Sequence, residues 1–123
     1  MYIIRKEFSF SASHQLMGLT QEHPCSNLHG HNYTVVVELR SKELNKIGFV
    51  FDYRGFQPIK SWIDGQLDHR NLNDILDFNP TAENIAKYIF NKITDICEND
   101  IYIHLFAVEV SETPKTSARY ERD

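Results

Sequence analysis

Cys25-Ser26-Asn27-Leu28-His29-Gly30-His31-Asn32-Tyr33 runs directly into Thr34-Val35-Val36-Val37-Glu38-Leu39. The second half is rich in β-branched residues and reads as a strand. On a strand, residues i and i+2 share a face, so His29 and His31 lie about 7 Å apart along one face and can converge on a single ion. Gly30 between them leaves room for something to approach the backbone closely. Taken alone, the spacing fits a pair of half-buried strand histidines equally well, because so short a motif recurs by chance.

Upstream, residues 2–14 alternate and predict a second strand. Ile4, Lys6, Phe8, Phe10, Ala12 and His14 share one parity, and the polar set Arg5, Glu7, Ser9, Ser11 and Ser13 shares the other. The first set is expected to face the core. A single histidine at such a strand end is ordinarily a hydrogen-bonded core residue. Antiparallel pairing of 2–14 with 31–40 changes that, because it brings His14 beside His29 and His31. Residues 15–24 form the connecting loop, long enough to be functional or mobile. Its His23 is a fourth ligand, a loop histidine near the substrate entrance or merely a solvated residue.

Downstream, Asp52 is an N-cap candidate for a helix to about Leu67, with Phe56, Ile59, Ile63 and Leu67 as its buried stripe. Pro58 fits only a first turn, so the start of that helix should be irregular. Asp68 to Asp74 reads as a polar loop. A second helix begins near Asn79-Pro80-Thr81, buries Ile85, Ile89, Ile93 and Ile96, and ends around Glu98-Asn99-Asp100. Ile101 to Ser111 is read as a third long strand, with Leu105 and Ala107 on one side and Phe106, Val108, Val110 and Glu112 on the other. Thr116 to Glu121 is the last strand. The order β-β-α-α-β-β predicts an α+β class, one antiparallel sheet with two helices on one face.

The 123 residues allow one domain, 1–123, with a modest core, and a four-stranded sheet of this length needs outside cover. A net charge of -4 argues against nucleic acid or an anionic membrane as partner. No apolar run reaches membrane-spanning length and the first residues lack a signal-peptide block, so the expected location is cytoplasmic. Two cysteines in unrelated contexts, Cys25 and Cys97, argue against a disulfide framework and leave thiol chemistry open.

His14, His29 and His31 are the right number for a catalytic zinc site with an open fourth position. Imidazoles also suit copper, iron and nickel, and zinc is favoured only as the commonest case. Cys25 can close such a site as a fourth ligand. It can equally stand just outside as a base, because a nearby dication stabilises a thiolate. Asp68-His69 is either an orienter–base pair meeting in a turn or a solvated loop. Glu112, on the apolar-containing face of its strand, is either exposed at the strand end or placed for donors from a ligand. Glu83, in a first helical turn, has a structural explanation in the helix dipole.

Five motifs now stand in order: Phe10-Ser11-Ala12-Ser13-His14, Cys25-x-x-x-His29-Gly30-His31-Asn32-Tyr33, Leu67-Asp68-His69-x-x-Leu72-Asn73, Pro80-Thr81-Ala82-Glu83-Asn84 and Glu112-Thr113. Together they resemble the 6-pyruvoyl-tetrahydropterin synthase family, and within it the 6-carboxy-tetrahydropterin synthases of queuosine and 7-deazapurine biosynthesis. The resemblance implies the tunnelling fold, in which subunit sheets join into a barrel with helices outside. It implies a homo-oligomer, a trimer or a pair of trimers, with active sites at subunit interfaces.

Carried over residue by residue, it makes His14, His29 and His31 the Zn2+ ligands and Cys25 the general base. His69, supported by Asp68, becomes the second acid/base group. Glu112 grips the pterin's amino and ring N–H donors, and Thr113 and Glu83 join it in binding substrate. The implied substrate is 7,8-dihydroneopterin triphosphate, losing triphosphate and acetaldehyde to leave a 6-carboxylate. The three residues between Cys25 and His29 resemble the carboxy-forming group, whereas pyruvoyl-forming animal enzymes carry a longer insert. Gln15 departs from the pattern, since many relatives have Arg there. Pyruvoyl formation and side-chain removal are therefore alternatives, and a non-catalytic zinc- and pterin-binding assembly module is the alternative of another class.

Overall fold

The alternation of residues 2–14 and the β-branched run after His31 place two long strands side by side. In the computed structural model, which describes residues 1–97 and 100–123, these are β1 (Tyr2–His14) and β2 (His29–Ser41). They pair antiparallel along their whole length, with His14 opposite His29 and Ala12 opposite His31. β2 begins at His29, so both histidines of the His-x-His pair belong to the strand. β2 pairs with β4 (Leu105–Thr113), and β4 pairs with β5 (Thr116–Glu121). A two-residue strand, β3 (Arg70–Asn71), runs parallel to the end of β1. Among the described residues the sheet order is β3-β1-β2-β4-β5.

One face of this sheet is covered by α1 (Gln57–Gln66) and α3 (Ala82–Ile96), as the α+β expectation required. Phe8, Phe10, Tyr33, Val35, Val37 and Leu39 pack from the sheet against Phe56, Ile59, Ile63, Leu67, Ile85, Ile89 and Ile93. The two apolar stripes read from periodicity are thus the helical half of the core. Thr81 caps α3 by accepting from the Asn84 N–H at 3.1 Å. The end expected around Glu98-Asn99-Asp100 falls largely outside the described residues; α3 itself closes at Ile96.

Local geometry departs from expectation in four places. Asp52 caps a 3-10 turn, Tyr53–Phe56, and the α-helix starts at Gln57 with Pro58 in its first positions. The ring of Pro58 needs no N–H donor there, so the irregular start absorbs it. The 68–74 segment holds β3 and a short helix, α2 (Leu72–Ile75). Ile101–His104 is a helical turn, α4, so β4 begins at Leu105 and runs on to Thr113. Finally, Glu38 pairs with Ala107 and Leu39 with Leu105, which leaves Phe106 as a bulge. An extra residue flips the parity on one side of it. Leu105 therefore joins Val108 and Val110 in the core, while Phe106 turns to the opposite face under the Arg40 guanidinium, 3.6 Å from the ring centroid.

That opposite face carries a buried carboxylate. Glu38, 4% exposed, accepts from Arg119 at 2.8 and 3.0 Å, Arg40 at 2.8 Å and Arg5 at 3.3 Å. The Arg119 hydrogen bonds hold its carboxyl below the ordinary range against the opposing effect of burial, with Arg40 adding to them. Glu38→Gln is expected to cost on the order of 3 kcal/mol at neutral pH, because three guanidinium groups lose their anion. A depressed carboxyl contributes fully above its unfolded pKa, about 4, and loses that contribution as pH falls through the folded value. Urea unfolding of both proteins should therefore show a gap that closes in acid; a gap that stays constant would contradict the network's role.

Candidate metal and pterin site

The pairing of β1 with β2 and the strand period of two bring three imidazoles to one place. His14 is fully buried at the end of β1, and His29 and His31 project from the same face of β2. One ring nitrogen from each lies within 4.8 Å of the others. The His14 and His29 Nε2 atoms are 3.0 Å apart, and His31 Nε2 is buried without a hydrogen-bond partner among the described residues.

The second nitrogens explain this geometry. His14 Nδ1 lies 2.8 Å from the Pro80 carbonyl, which can only accept, so Nδ1 carries the proton. His29 Nδ1 likewise donates to the Asn27 carbonyl at 2.7 Å. In the neutral tautomers both Nε2 atoms therefore present lone pairs to each other at hydrogen-bond distance. Two facing acceptors and a buried third nitrogen that makes no hydrogen bond are an unfavourable arrangement by themselves. They become favourable around a cation, and a backbone carbonyl on the far nitrogen is how proteins commonly orient such ligands. Burial, the largest effect, lowers the pKa of His14, although the Pro80 carbonyl and Glu112 oppose it. The ring is thus kept in the neutral form a metal requires. The residues fit a metal ion, and His14, His29 and His31 can hold one.

Tyr33 completes the support. It is fully buried, its ring stacks on Phe10 with centroids 4.8 Å apart, and its hydroxyl lies 3.0 Å from His14 Nδ1. Sequence reasoning passed over Tyr33, yet the signal was there: it shares the parity of His29 and His31. The Pro80 and Asn27 carbonyls had no comparable signal, because a main-chain acceptor is the same in every residue.

Glu112 reaches the cluster from β4, on the Val108 and Val110 face. Its carboxylate oxygens stand 3.5 Å from His31 Nε2 and 4.0 Å from His14 Nε2. A cleft of about 350 Å3 opens beside it, lined among others by Leu16, Thr81, Glu83, Val110 and Ser117. Glu83 is exposed in the first turn of α3 and borders this cleft. Thr113 is exposed at the end of β4, and its hydroxyl accepts from the Lys115 N–H at 3.3 Å in the turn to β5.

Cys25 sits half-buried in a 3-10 turn, Pro24–Ser26, on the loop between β1 and β2. Its N–H donates to His23 Nδ1 at 3.1 Å, which makes His23 the cap of this turn, and its carbonyl accepts from the Leu16 N–H at 2.9 Å. The cluster of ligand atoms is formed by the three histidines, and neither Cys25 nor His23 belongs to it.

Asp68 and His69 meet in a turn against β1. Asp68 accepts from the Ser11 N–H at 2.8 Å and faces His69 Nδ1 at 2.9 Å, while the His69 N–H donates to the Ser11 carbonyl at 2.6 Å. His69 takes a left-handed φ of 60°, sparsely populated for a residue with a side chain. The Ser11 N–H, more than His69, holds the Asp68 carboxyl below its usual range. The His69 side chain is 83% exposed and opens onto a cleft of about 480 Å3 with Ser11, Ser13, Asn32 and Arg70 in its walls.

Comparison with known proteins adds an independent line. The profile of the family described as 6-pyruvoyl tetrahydropterin synthase matches residues 3–123. A protein of Synechocystis named 6-carboxy-5,6,7,8-tetrahydropterin synthase is 39% identical, with 98% of this chain and 93% of that protein covered. A Pyrococcus furiosus protein named dihydroneopterin monophosphate aldolase is 37% identical over 76% of this chain and 75% of its own. Among solved structures, the 6-pyruvoyl tetrahydropterin synthase of Caenorhabditis elegans superposes with a TM-score of 0.85 at 31% identity, covering 99% of this chain and 96% of that one.

Proposed function

Because the chain belongs to the 6-pyruvoyl tetrahydropterin synthase family, whose profile spans residues 3–123, we propose that it is a zinc-dependent 6-carboxy-5,6,7,8-tetrahydropterin synthase of queuosine and 7-deazapurine biosynthesis. The reaction is 7,8-dihydroneopterin triphosphate plus water to 6-carboxytetrahydropterin, acetaldehyde and triphosphate. The observation that carries it is the set of three imidazoles whose ring nitrogens converge beside Glu112. Zinc, once bound there by His14, His29 and His31, supplies Lewis acidity toward substrate hydroxyls.

The remaining roles fall to the chain's own groups. Glu112 accepts hydrogen bonds from the pterin amino and ring N–H groups, with Glu83 and Thr113 bordering the same substrate. That contact sets the pterin's side chain over the histidines. Cys25 removes a side-chain proton as general base, and His69, held by Asp68, returns one as acid. Support for an assembled site comes from the exposure of the His69 ring and from the open sheet edge at β5, with β1 bordered by β3 only near its end. In a trimer or a pair of trimers, the His69 of one protomer serves the Cys25 of its partner. The domain is taken to be the full 1–123. No helix among the described residues is long and apolar enough to cross a membrane, in keeping with a cytoplasmic enzyme.

A second proposal has one specific observation behind it. Residues 15–28 contain neither Lys nor Arg, and Gln15 follows the first histidine. A polyphosphate tail would find no cation on that loop, which favours side-chain removal from a less phosphorylated dihydroneopterin. The name of the Pyrococcus relative points the same way for that protein.

Mass spectrometry of the zinc-loaded protein with dihydroneopterin triphosphate decides among these. The expected products are the 6-carboxylate and acetaldehyde. A pyruvoyl product, or turnover of the monophosphate alone, would replace the primary assignment. Absence of any product from a metal-replete oligomer would favour the non-catalytic binding module.

A further inference from the structure

The loop that carries Cys25 is fastened where it leaves β1, and the fastening has an unusual form. Asn73, the second residue of α2, accepts from the Gln15 N–H at 2.7 Å and donates from Nδ2 to the Gln15 carbonyl at 2.9 Å. Asn79, just before Pro80, repeats the pattern two residues on. It accepts from the Met17 N–H at 2.9 Å and donates to the Met17 carbonyl at 3.1 Å. Each side-chain amide thus supplies both hydrogen bonds that a neighbouring strand would supply to an extended residue. Between them, the Leu16 N–H donates to the Cys25 carbonyl at 2.9 Å, and the Gln15 side chain donates to the Ser26 carbonyl at 2.6 Å.

We propose that Asn73 and Asn79 are positioning residues for Cys25: they fix the main chain of 15–17, and that segment in turn holds the Cys25 turn in place. Both clamps are themselves rooted. The Asn73 N–H donates to Asn71 Oδ1 at 3.2 Å, and the Asn79 carbonyl accepts from Asn84 Nδ2 at 2.9 Å. The residue after Asn79 is Pro80, whose carbonyl receives His14 Nδ1. One short segment therefore sets both the orientation of a metal-binding ring and the place of the loop thiol. The pattern needs an amide, because only an amide offers an acceptor and a donor side by side. Aspartate has the same shape and would oppose an oxygen to the Met17 or Gln15 carbonyl.

The role assigned here rests on Cys25 being the base, and its test separates the two. Asn73→Asp and Asn79→Asp are made singly, so that one poorly folding variant leaves the other. Displacement of a catalytic group by an ångström can cost about 100-fold, so kcat should fall roughly 10- to 100-fold with KM changed less than about twofold. Metal content should stay stoichiometric, and hydrogen exchange should rise in residues 15–28 without rising in α3. Placed on Cys25→Ala, the same substitutions should leave the residual rate within about twofold, because their target is gone. An unchanged kcat, or an equal loss on the Cys25→Ala background, would overturn the proposal. Should the wild-type protein turn nothing over, the function assignment fails, and exchange decides the clamp alone: unaltered exchange at 15–28 overturns it.

Discussion

Cys25→Ala should lose turnover by at least about 100-fold while keeping both its metal and its affinity for pterin, since positioned acid–base groups typically contribute about 10²–10⁴-fold. The expectation follows from where the residue stands. The converging nitrogens belong to His14, His29 and His31, and the Cys25 sulfur is outside their cluster. The turn around Cys25 is nevertheless tied to the same neighbourhood, because two residues later the Asn27 carbonyl orients His29. A thiolate outside the metal's coordination keeps the basicity that a metal–sulfur bond would draw away, and so can accept a proton. His69→Ala should separate binding from turnover in the same way. The double variant should lose less than the product of the two single losses if they act in one relay. Zinc content, pterin affinity and rate, measured on the same preparations, check all three.

His31→Ala should abolish stoichiometric zinc binding and with it all measurable turnover. Among the described residues His31 Nε2 is buried with no hydrogen-bond partner, and the His14 and His29 Nε2 lone pairs face each other at 3.0 Å. A cation relieves all three at once, so binding should also raise the protein's stability. Ligand at 1,000 times its dissociation constant stabilises by about 4 kcal/mol. In thermal unfolding, added zinc should raise the Tm of the wild-type chain and leave that of His31→Ala almost unchanged. A His31→Ala protein that kept both its zinc and its thermal response would remove His31 from the centre.

Much of this was legible because strands convert sequence parity into geometry. The alternation of Phe8, Phe10, Ala12 and His14 placed His14 on the buried face, and antiparallel pairing then brought it opposite His29. Phe56, Ile59, Ile63 and Leu67 were recognisable as a helical stripe for the same kind of reason, a period of nearly four. Parity failed where the period broke. The bulge at Phe106 sent Leu105 to the core, and the helical turn at Ile101–His104 shortened a strand whose β-rich composition gave no warning.

Family motifs named Asp68-His69 and Glu112, but composition could not have told a solvated loop from the left-handed turn that locks Asp68 onto Ser11. The Pro80 and Asn27 carbonyls and the paired amides of Asn73 and Asn79 left no trace for a different reason. Their roles depend on which backbone comes near them, and that is a property of the fold.

The most direct measurement is X-ray absorption at the zinc edge of the zinc-reconstituted protein, with and without bound pterin. The expected spectrum has three imidazole nitrogens and one lighter-atom ligand at about 2.0 Å, with no sulfur in either state. A sulfur scatterer at about 2.3 Å would make Cys25 a ligand, close the site, and contradict its assignment as the base.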